Sequence, residues 1–187
     1  MCYSRQMIGE PGCETGYSHA AIHLGLGEIL ESDAAGVKIG SIDDILIVYD
    51  HIAILRAPHT WSQSRIDRLK QFGLQQVGKK FNIRALPRIE YLKQHNIETA
   101  QQQIEDFFAG LSKPVETDRK SYFCSELVVS AFIDAGIINQ SAAILFKPET
   151  LLPIDIAKDK AFGFFVGYVL KSQPYAIRDD DWFQLNI

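Results

Sequence analysis

The chain has 187 residues, with 19 lysines and arginines against 23 aspartates and glutamates, so its formal net charge is −4. Hydrophobic residues make up 47% of the sequence and charged residues 22%, as is ordinary for a globular domain with a substantial core. Because the basic residues form no stripe, nucleic acid is not an expected partner. We expect one domain over 1–187, with an irregular N-terminal segment at 1–16 and a C-terminal tail at 171–187.

No stretch of the sequence is apolar for long enough to cross a bilayer. The apolar run at 161–170 includes two glycines and predicts a buried strand instead. Residues 1–6 lack the charged region followed by an apolar run that marks a secretory signal. The protein is therefore expected to be cytoplasmic or exported by a signal-independent route, and the sequence leaves the compartment open.

The first predicted element in the chain is a β-hairpin between Tyr17 and Ser32. Two strand-like runs flank a Gly-x-Gly turn at 25–27. His19 lies at the start of the first run and Glu31 on the second, so the carboxylate can approach the imidazole across the ladder and stabilise its protonated form. Strand alternation places His23 on the same sheet face as His19, where it lines or flanks the same site.

Two alternatives to this pairing stay open. Asp33 shares a face with Glu31 and is the alternative carboxylate if the register turns Glu31 outward. A zinc site on His19 and His23 needs a third ligand at suitable spacing, which the sequence does not offer. We therefore predict neither a metal nor a cofactor.

A third strand is predicted at 51–57, and helices follow it. Residues 60–63 have the spacing of a capping box, and an apolar face then runs from Ile66 to Val77. A second amphipathic helix at 98–111 is either a surface helix or a lid over a cleft. The remaining histidines are expected at loops or strand ends: His51, His59 and His95.

Positive charge is concentrated between these two helices. Lys79 and Lys80 are adjacent, and Arg84 and Arg88 follow closely. Such a cluster is usually a solvated face, although here it can also receive the acidic end of a substrate.

Cys124 is placed differently from the other two cysteines. The odd cysteine count argues against a complete disulfide framework, and we expect Cys2 and Cys13 to be reduced, although they can pair in an oxidising compartment. Cys124 falls at the start of a predicted helix whose apolar face ends at Gly136. The free N–H groups of a first helical turn stabilise a thiolate, so Cys124 is a candidate nucleophile. It lies on the apolar face, however, and the reading as a buried small hydrophobe stays open.

Seven short motifs follow one another along the chain. They are Ser18-His19, Gly25 to Gly27, Glu31, Gly36-Val37, Ser41 to Ile45, Gly78 to Phe81, and Cys124 to Leu127. Taken in this order they resemble the circularly permuted NlpC-type papain-like hydrolases, in particular the YiiX-like and YaeF-like amidases. A His…Glu…Cys order inverts the Cys…His order of ordinary papain-like enzymes and marks the permutation.

The resemblance implies an α+β, permuted papain-like (NlpC-type) fold: an antiparallel sheet or small barrel packed against helices, with the nucleophile at a helix N-terminus. It implies Cys124 as nucleophile, His19 as base and acid, and Glu31 as the residue that orients His19. The chain departs from the family at Phe81, where the family carries a tyrosine that donates to the oxyanion.

Other groups must then supply the oxyanion and substrate contacts. The side-chain candidates are Tyr122, Tyr17, Ser125 and His23, and the backbone candidate is the amide of Cys124. The family pattern also begins with a strand well before Ser18, and residues 1–16 show no clear counterpart.

The expected function is a cysteine-dependent hydrolase that cleaves an amide bond through an acyl-thioester intermediate. The expected substrate is peptide-like or an acyl-amide, including a peptidoglycan stem peptide. Two alternatives stay open: a lipid-directed acyltransferase or thioesterase of the same fold, and a non-catalytic binding module. Relatives with acyltransferase chemistry carry a second histidine where Glu31 stands. If the chain is an antibacterial effector, a delivery or immunity partner is expected.

Overall fold

The computed structural model of the protein describes residues 1–8, 10, 12–58, 60–171 and 174–186. Among these, no helix has both the length and the apolar character needed to span a bilayer. The strands are β1 (Cys2–Tyr3), β2 (Tyr17–His19), β3 (Ile22–Gly25), β4 (Glu28–Asp33), β5 (Gly36–Ser41), β6 (His51–Arg56), β7 (Lys80–Phe81), β8 (Ser121–Tyr122) and β9 (Phe164–Leu170). The helices are α1 (Ile42–Val48), α2 (Gln63–Gln76), α3 (Ile89–Glu98), α4 (Ala100–Phe108), α5 (Cys124–Asp134), α6 (Pro153–Lys158) and α7 (Trp182–Leu185).

In the described part of the chain, the strands form two antiparallel sheets and one short parallel pair. The first sheet has the order β2-β1-β6-β9 and the second has the order β3-β4-β5. The parallel pair, β7 with β8, brings Phe81 opposite Tyr122. Helices pack against these sheets, so the predicted α+β class with antiparallel sheet is confirmed.

Strands β3 and β4 form the predicted hairpin. Its turn contains Gly25 and Gly27, whose positive φ angles of 103° and 83° are readily adopted only by glycine. The prediction was wrong about the start of the first strand. The ladder breaks after His19, so residues 17–19 pair with β1 in one sheet and residues 22–25 pair with β4 in the other. Alternation therefore does not carry from His19 to His23.

The sequence predicted an irregular N-terminal segment, but part of this segment forms a strand. Cys2 and Tyr3 form β1, which lies between β2 and β6 inside the four-stranded sheet. Their side chains are buried, with exposed fractions of 1% and 2%. A strand of two residues contains no alternation that a pattern search can detect, which is why the sequence did not reveal it.

The described part of the predicted C-terminal tail also packs into the core. Helix α7 buries Phe183, whose ring stacks on Phe165 and meets Tyr17 edge to face. Asp181 precedes this helix and accepts hydrogen bonds from the hydroxyls of Tyr17 at 2.9 Å and Tyr168 at 2.6 Å. Aromatic packing and these buried hydrogen bonds hold the segment against the four-stranded sheet.

Helix α5 is the most deeply buried helix, and it ends where the sequence predicted. Every residue from Cys124 to Ile133 is buried, and the helix packs against α2 and β4. Gly136 follows the helix with a φ of 72°, and its N–H donates to the carbonyl of Ile133. Because the helix is covered on all sides, the burial of Cys124 alone does not distinguish a nucleophile from a core residue.

The predicted helices of the middle region differ from the observed ones in their details. Ser62, rather than Thr60, caps α2 by accepting the N–H of Arg65, and Val77 at the other end is 47% exposed rather than buried. The predicted helix at 98–111 is instead the end of α3 and the whole of α4. None of the residues 100–108, all described, is buried, so α4 is a surface helix.

We predict that Phe183→Ala lowers the free energy of unfolding by about 3–5 kcal/mol, because it leaves a cavity between Phe165 and Tyr17. Leu185→Ala in the same helix is the control, since Leu185 is 67% exposed and its loss should cost less than about 0.5 kcal/mol. Urea unfolding measures both. Equal effects would contradict the packing of α7 into the core.

Candidate active site

The chain that leads into Cys124 is fixed from two sides. The carbonyl of Tyr122 accepts a hydrogen bond from Ser32 Oγ at 2.7 Å and another from the N–H of Asn82 at 3.0 Å. Ser32 belongs to β4 and Asn82 follows β7, so both elements hold Tyr122, which lies two residues before the helix start. Cys124 is then the first residue of α5, as predicted.

A buried carboxylate closes the N-terminus of α5. Glu126 is 1% exposed, and its Oε2 accepts hydrogen bonds from the N–H of Phe123 at 3.1 Å and from Asn82 Nδ2 at 3.2 Å. Arg119 Nη1 donates to Glu126 Oε1 at 2.9 Å, and its other amine donates to Glu149 at 2.6 Å. Burial raises the pKa of Glu126 although the charge of Arg119 opposes the rise. This network fixes the backbone at Cys124. A glutamate in the first turn of a helix is the sequence signal from which such a cap could have been predicted.

His19 and Glu31 form a buried pair between the two sheets. His19 Nε2 lies 2.8 Å from Glu31 Oε2, and each residue is 4% exposed. The predicted contact between His19 and Glu31 is present, but it does not form across the ladder of the hairpin as predicted. The residue opposite Glu31 in the ladder is Lys38, whose Nζ lies 3.4 Å from Glu31 Oε1, whereas His19 comes from β2 in the other sheet.

Asp33, the alternative carboxylate, is engaged elsewhere. Its Oδ2 pairs with Lys38 Nζ at 2.6 Å and its Oδ1 accepts the N–H of Ala35 at 2.8 Å. Partial burial opposes ionisation, but these contacts outweigh it and lower the pKa of Asp33. Glu31 is therefore the carboxylate that contacts His19.

Cys124 lies close to β2, with its Sγ 4.0 Å from the carbonyl oxygen of Ser18, the residue before His19, and Cys124 and His19 shift each other's ionisation. Burial raises the pKa of the Cys124 thiol, but His19 and the backbone N–H groups of Ala20 and Ser125 outweigh it, so the pKa is lowered. For His19, burial lowers the pKa, whereas its contacts with Cys124 and Glu31 raise it well above its usual value. Glu31 engages Nε2 of the ring, which leaves Nδ1 for the thiol. The surroundings favour a thiolate paired with an imidazolium.

Tyr49 holds the plane of the imidazole. It lies directly after α1, and its ring stacks on His19 with centroids 5.3 Å apart and planes 9° apart. Burial raises the pKa of Tyr49, so its phenol stays neutral at physiological pH. Nothing in the local sequence distinguishes this tyrosine, because its ring meets His19 from a segment 30 residues away in the chain.

The two tyrosines predicted as oxyanion donors point elsewhere. The hydroxyl of Tyr122 accepts the N–H of Arg119 at 2.8 Å and lies 2.6 Å from the carbonyl of Thr117. The hydroxyl of Tyr17 donates to Asp181, as described above. Both predictions were wrong because proximity in sequence does not fix the direction of a side chain. The backbone N–H groups at the start of α5 are the donors that remain beside Cys124.

The other two predicted substrate contacts are also not in the cluster. Ser125 Oγ donates to the carbonyl of Leu151 at 2.7 Å, which is a structural contact. His23 is exposed, and its Nε2 accepts the N–H of Gly27 at 3.3 Å within the hairpin turn. The break between β2 and β3 separates it from His19. Phe81, at the position where the resemblance leads one to expect a tyrosine, lies in β7 opposite Tyr122.

His51 is buried in a second polar cluster, which the sequence did not predict. It is the first residue of β6, in agreement with a strand-end position, but it is only 1% exposed. Its Nε2 lies 2.9 Å from the hydroxyl of Tyr17 and its Nδ1 lies 2.8 Å from that of Tyr175. His95 lies within α3 rather than in a loop, and His59 lies outside the described residues.

The described ranges contain no group of three histidine, cysteine or acidic side chains that could hold a metal ion. Within the same ranges, Cys2, Cys13 and Cys124 are free thiols. Burial raises the pKa values of Cys2 and Cys13, in contrast to the lowered value of Cys124. The three cysteines therefore differ in their expected reactivity at neutral pH.

This chain is similar to a protein named as a peptidase. It is 32% identical over 158 residues to the probable lipoprotein peptidase YaeF of Escherichia coli (strain K12). The match covers 78% of this chain, and the chain spans 57% of the length of that protein. No family model and no solved structure matches the chain.

We predict that Glu31→Gln slows the alkylation of Cys124 by iodoacetamide at pH 7 about tenfold or more. Glutamine keeps the shape of the side chain but removes the negative charge that stabilises the imidazolium, and a shift of one pKa unit corresponds to about a tenfold change in thiolate population. Peptide mass mapping separates Cys124 from Cys2 and Cys13. Asp33→Asn, two residues along the same strand, should change the rate by less than about twofold. Equal effects of the two substitutions would rule out Glu31 as the orienting carboxylate.

Proposed function

We propose that this protein is a cysteine-dependent hydrolase that cleaves an amide bond in a peptide-like or acyl-amide substrate. The observation that carries the proposal is the buried cluster of Cys124, His19 and Glu31, with Cys124 in the first turn of α5. Similarity to a protein named probable lipoprotein peptidase supports the same reaction class. The His…Glu…Cys chain order and the mixed sheets and helices support a circularly permuted papain-like arrangement of the NlpC type.

The first half of the proposed reaction forms the acyl-enzyme. The Cys124 thiolate attacks the carbonyl carbon of the amide, and the carbonyl oxygen becomes an oxyanion that the backbone N–H groups at the start of α5 stabilise. The oxyanion then collapses as the C–N bond breaks. His19, protonated at Nδ1, gives its proton to the departing nitrogen, which leaves as a neutral amine. The acyl group remains on Cys124 as a thioester.

The second half releases the acid. Neutral His19 takes a proton from a water molecule, whose oxygen attacks the thioester carbonyl, and the same backbone donors stabilise the second oxyanion. The C–S bond breaks, and the thiolate of Cys124 is restored beside the imidazolium. Throughout the cycle Glu31 accepts from Nε2 of His19 and holds the ring in the orientation that Tyr49 also supports.

Amide hydrolysis is favoured over acyl transfer to a lipid by the residue at the orienting position. Glu31, rather than a second histidine, contacts His19. In the resemblance described above, glutamate at this position belongs to the amidase branch. An acyltransferase would form the same thioester and differ only in using an alcohol or amine instead of water as the acceptor.

We predict that Cys124→Ser lowers the turnover of amide substrates about a thousandfold or more, because a serine hydroxyl is not ionised by the surrounding groups. The assay incubates the protein with pools of short peptides and N-acyl amides and follows amine release by mass spectrometry. Cys13→Ser is the matched control and should retain activity, since burial raises the pKa of the Cys13 thiol and keeps it from acting as the ionised nucleophile. Turnover that survives in Cys124→Ser would contradict the proposal.

A further inference from the structure

The short turn at 83–88, between β7 and α3, exposes apolar and basic side chains together. Ile83 is 68% exposed and Leu86 is 41% exposed, although both are large aliphatic residues. Arg84 and Arg88 are exposed on the same turn. Leu86 and Arg88 are held in a single turn of 3-10 helix that contains a proline and continues directly into α3, so the turn is a firm projection.

The two arginines of this turn, Arg84 and Arg88, are not engaged in ion pairs with other described residues. Nearby Lys79, in contrast, pairs with Asp118, and Arg119 pairs with two glutamates. The basic residues that the sequence places close together at 79–88 therefore differ in their contacts. The lysine at position 79 is engaged within the fold, and the arginines are free to meet an anionic surface.

An exposed tyrosine extends the same surface along α3. Tyr91 is 67% exposed and lies three residues after Arg88, on the neighbouring part of the helix surface. Lys80, also exposed, lies on the strand before the turn. Exposed aliphatic side chains flanked by arginine and tyrosine are the combination found where proteins contact the boundary between lipid headgroups and acyl chains.

This surface is connected to the start of the helix that carries Cys124. Asn82, directly before the turn, donates its N–H to the carbonyl of Tyr122 at 3.0 Å and its side-chain amide to Glu126 at 3.2 Å. A partner bound at the turn would therefore lie against the elements that hold Cys124 in place.

We propose that the 83–88 turn, together with Tyr91, docks this protein onto an anionic phospholipid surface. The arginines contact the lipid phosphates, and Ile83 and Leu86 insert at the headgroup level. Because the whole chain carries a net charge of −4, its overall charge opposes binding to such a surface, so binding depends on the local charges of the turn and decreases with salt. The inference concerns binding alone and holds whether or not the proposed reaction does.

Co-sedimentation with vesicles tests the proposal on the full chain. One vesicle is phosphatidylcholine alone, and the other contains phosphatidylglycerol as about a quarter of its lipid. We expect the wild type to sediment with the anionic vesicles at low salt, to be released by added salt, and not to sediment with phosphatidylcholine. The double variants Arg84→Gln/Arg88→Gln and Ile83→Ser/Leu86→Ser should each weaken partition about tenfold or more.

The matched control is Lys70→Gln/Leu74→Ser on α2, where an exposed lysine and a 69% exposed leucine lie one helical turn apart. It should bind like the wild type. Unchanged alkylation of Cys124 in every variant shows that each is folded and separates loss of docking from loss of the site. Absence of binding to anionic vesicles, binding that the turn variants do not weaken, or retention on single-stranded RNA but not on vesicles would each overturn the proposal.

Discussion

Ionisable groups buried away from water are costly unless they are paired, and this constraint organises the site. Glu31 is 4% exposed, with His19 at 2.8 Å and Lys38 at 3.4 Å. His19 belongs to one antiparallel sheet and Glu31 to the other, so their contact requires the two sheets to lie in a fixed relation. Ser32, beside Glu31 on β4, then anchors the residues before Cys124. Strand β4 thus supplies the carboxylate that contacts His19 through Glu31, and through the neighbouring Ser32 it holds the backbone that leads to Cys124.

The main effect of this buried pair is on the ionisation of Cys124 rather than on the stability of the fold. A buried ion pair is weak support for a fold, because desolvation offsets much of the attraction between the charges. What the pair changes is the state of Cys124, since burial alone would keep the thiol protonated and the contact with His19 reverses that preference. The supporting residues serve the same end. Tyr49 fixes the plane of the imidazole, and Glu126 and Arg119 fix the backbone at the helix start.

Local signals in the sequence predicted the parts of the structure that local physics determines. Glycines in the sequence predicted the hairpin turn and the end of α5, and in the structure these glycines have positive φ angles. The change from a polar to an apolar stretch predicted the start of α5 at Cys124. The parts that were missed depend on contacts between distant segments. The two-residue strand β1, the break after His19 and the burial of Phe183 are all of this kind. The hydroxyls of Tyr17 and Tyr122 were misassigned for the same reason, because their partners come from segments that only the fold brings near.

The measurement that tests the central claim most directly is the ultraviolet absorbance of the Cys124 thiolate as a function of pH. It is taken as the difference between the wild type and Cys124→Ser, which removes the contribution of the other two thiols, and it is repeated in His19→Ala. Because the pKa of Cys124 is lowered and that of His19 is raised, the account predicts a thiolate signal that persists as the pH falls well below the ordinary thiol pKa of about 8.5. In His19→Ala burial is opposed only by the backbone N–H groups of Ala20 and Ser125, so the thiolate signal should shift to higher pH. A signal that titrates at or above the ordinary value in the wild type, and is unchanged by His19→Ala, would contradict the account.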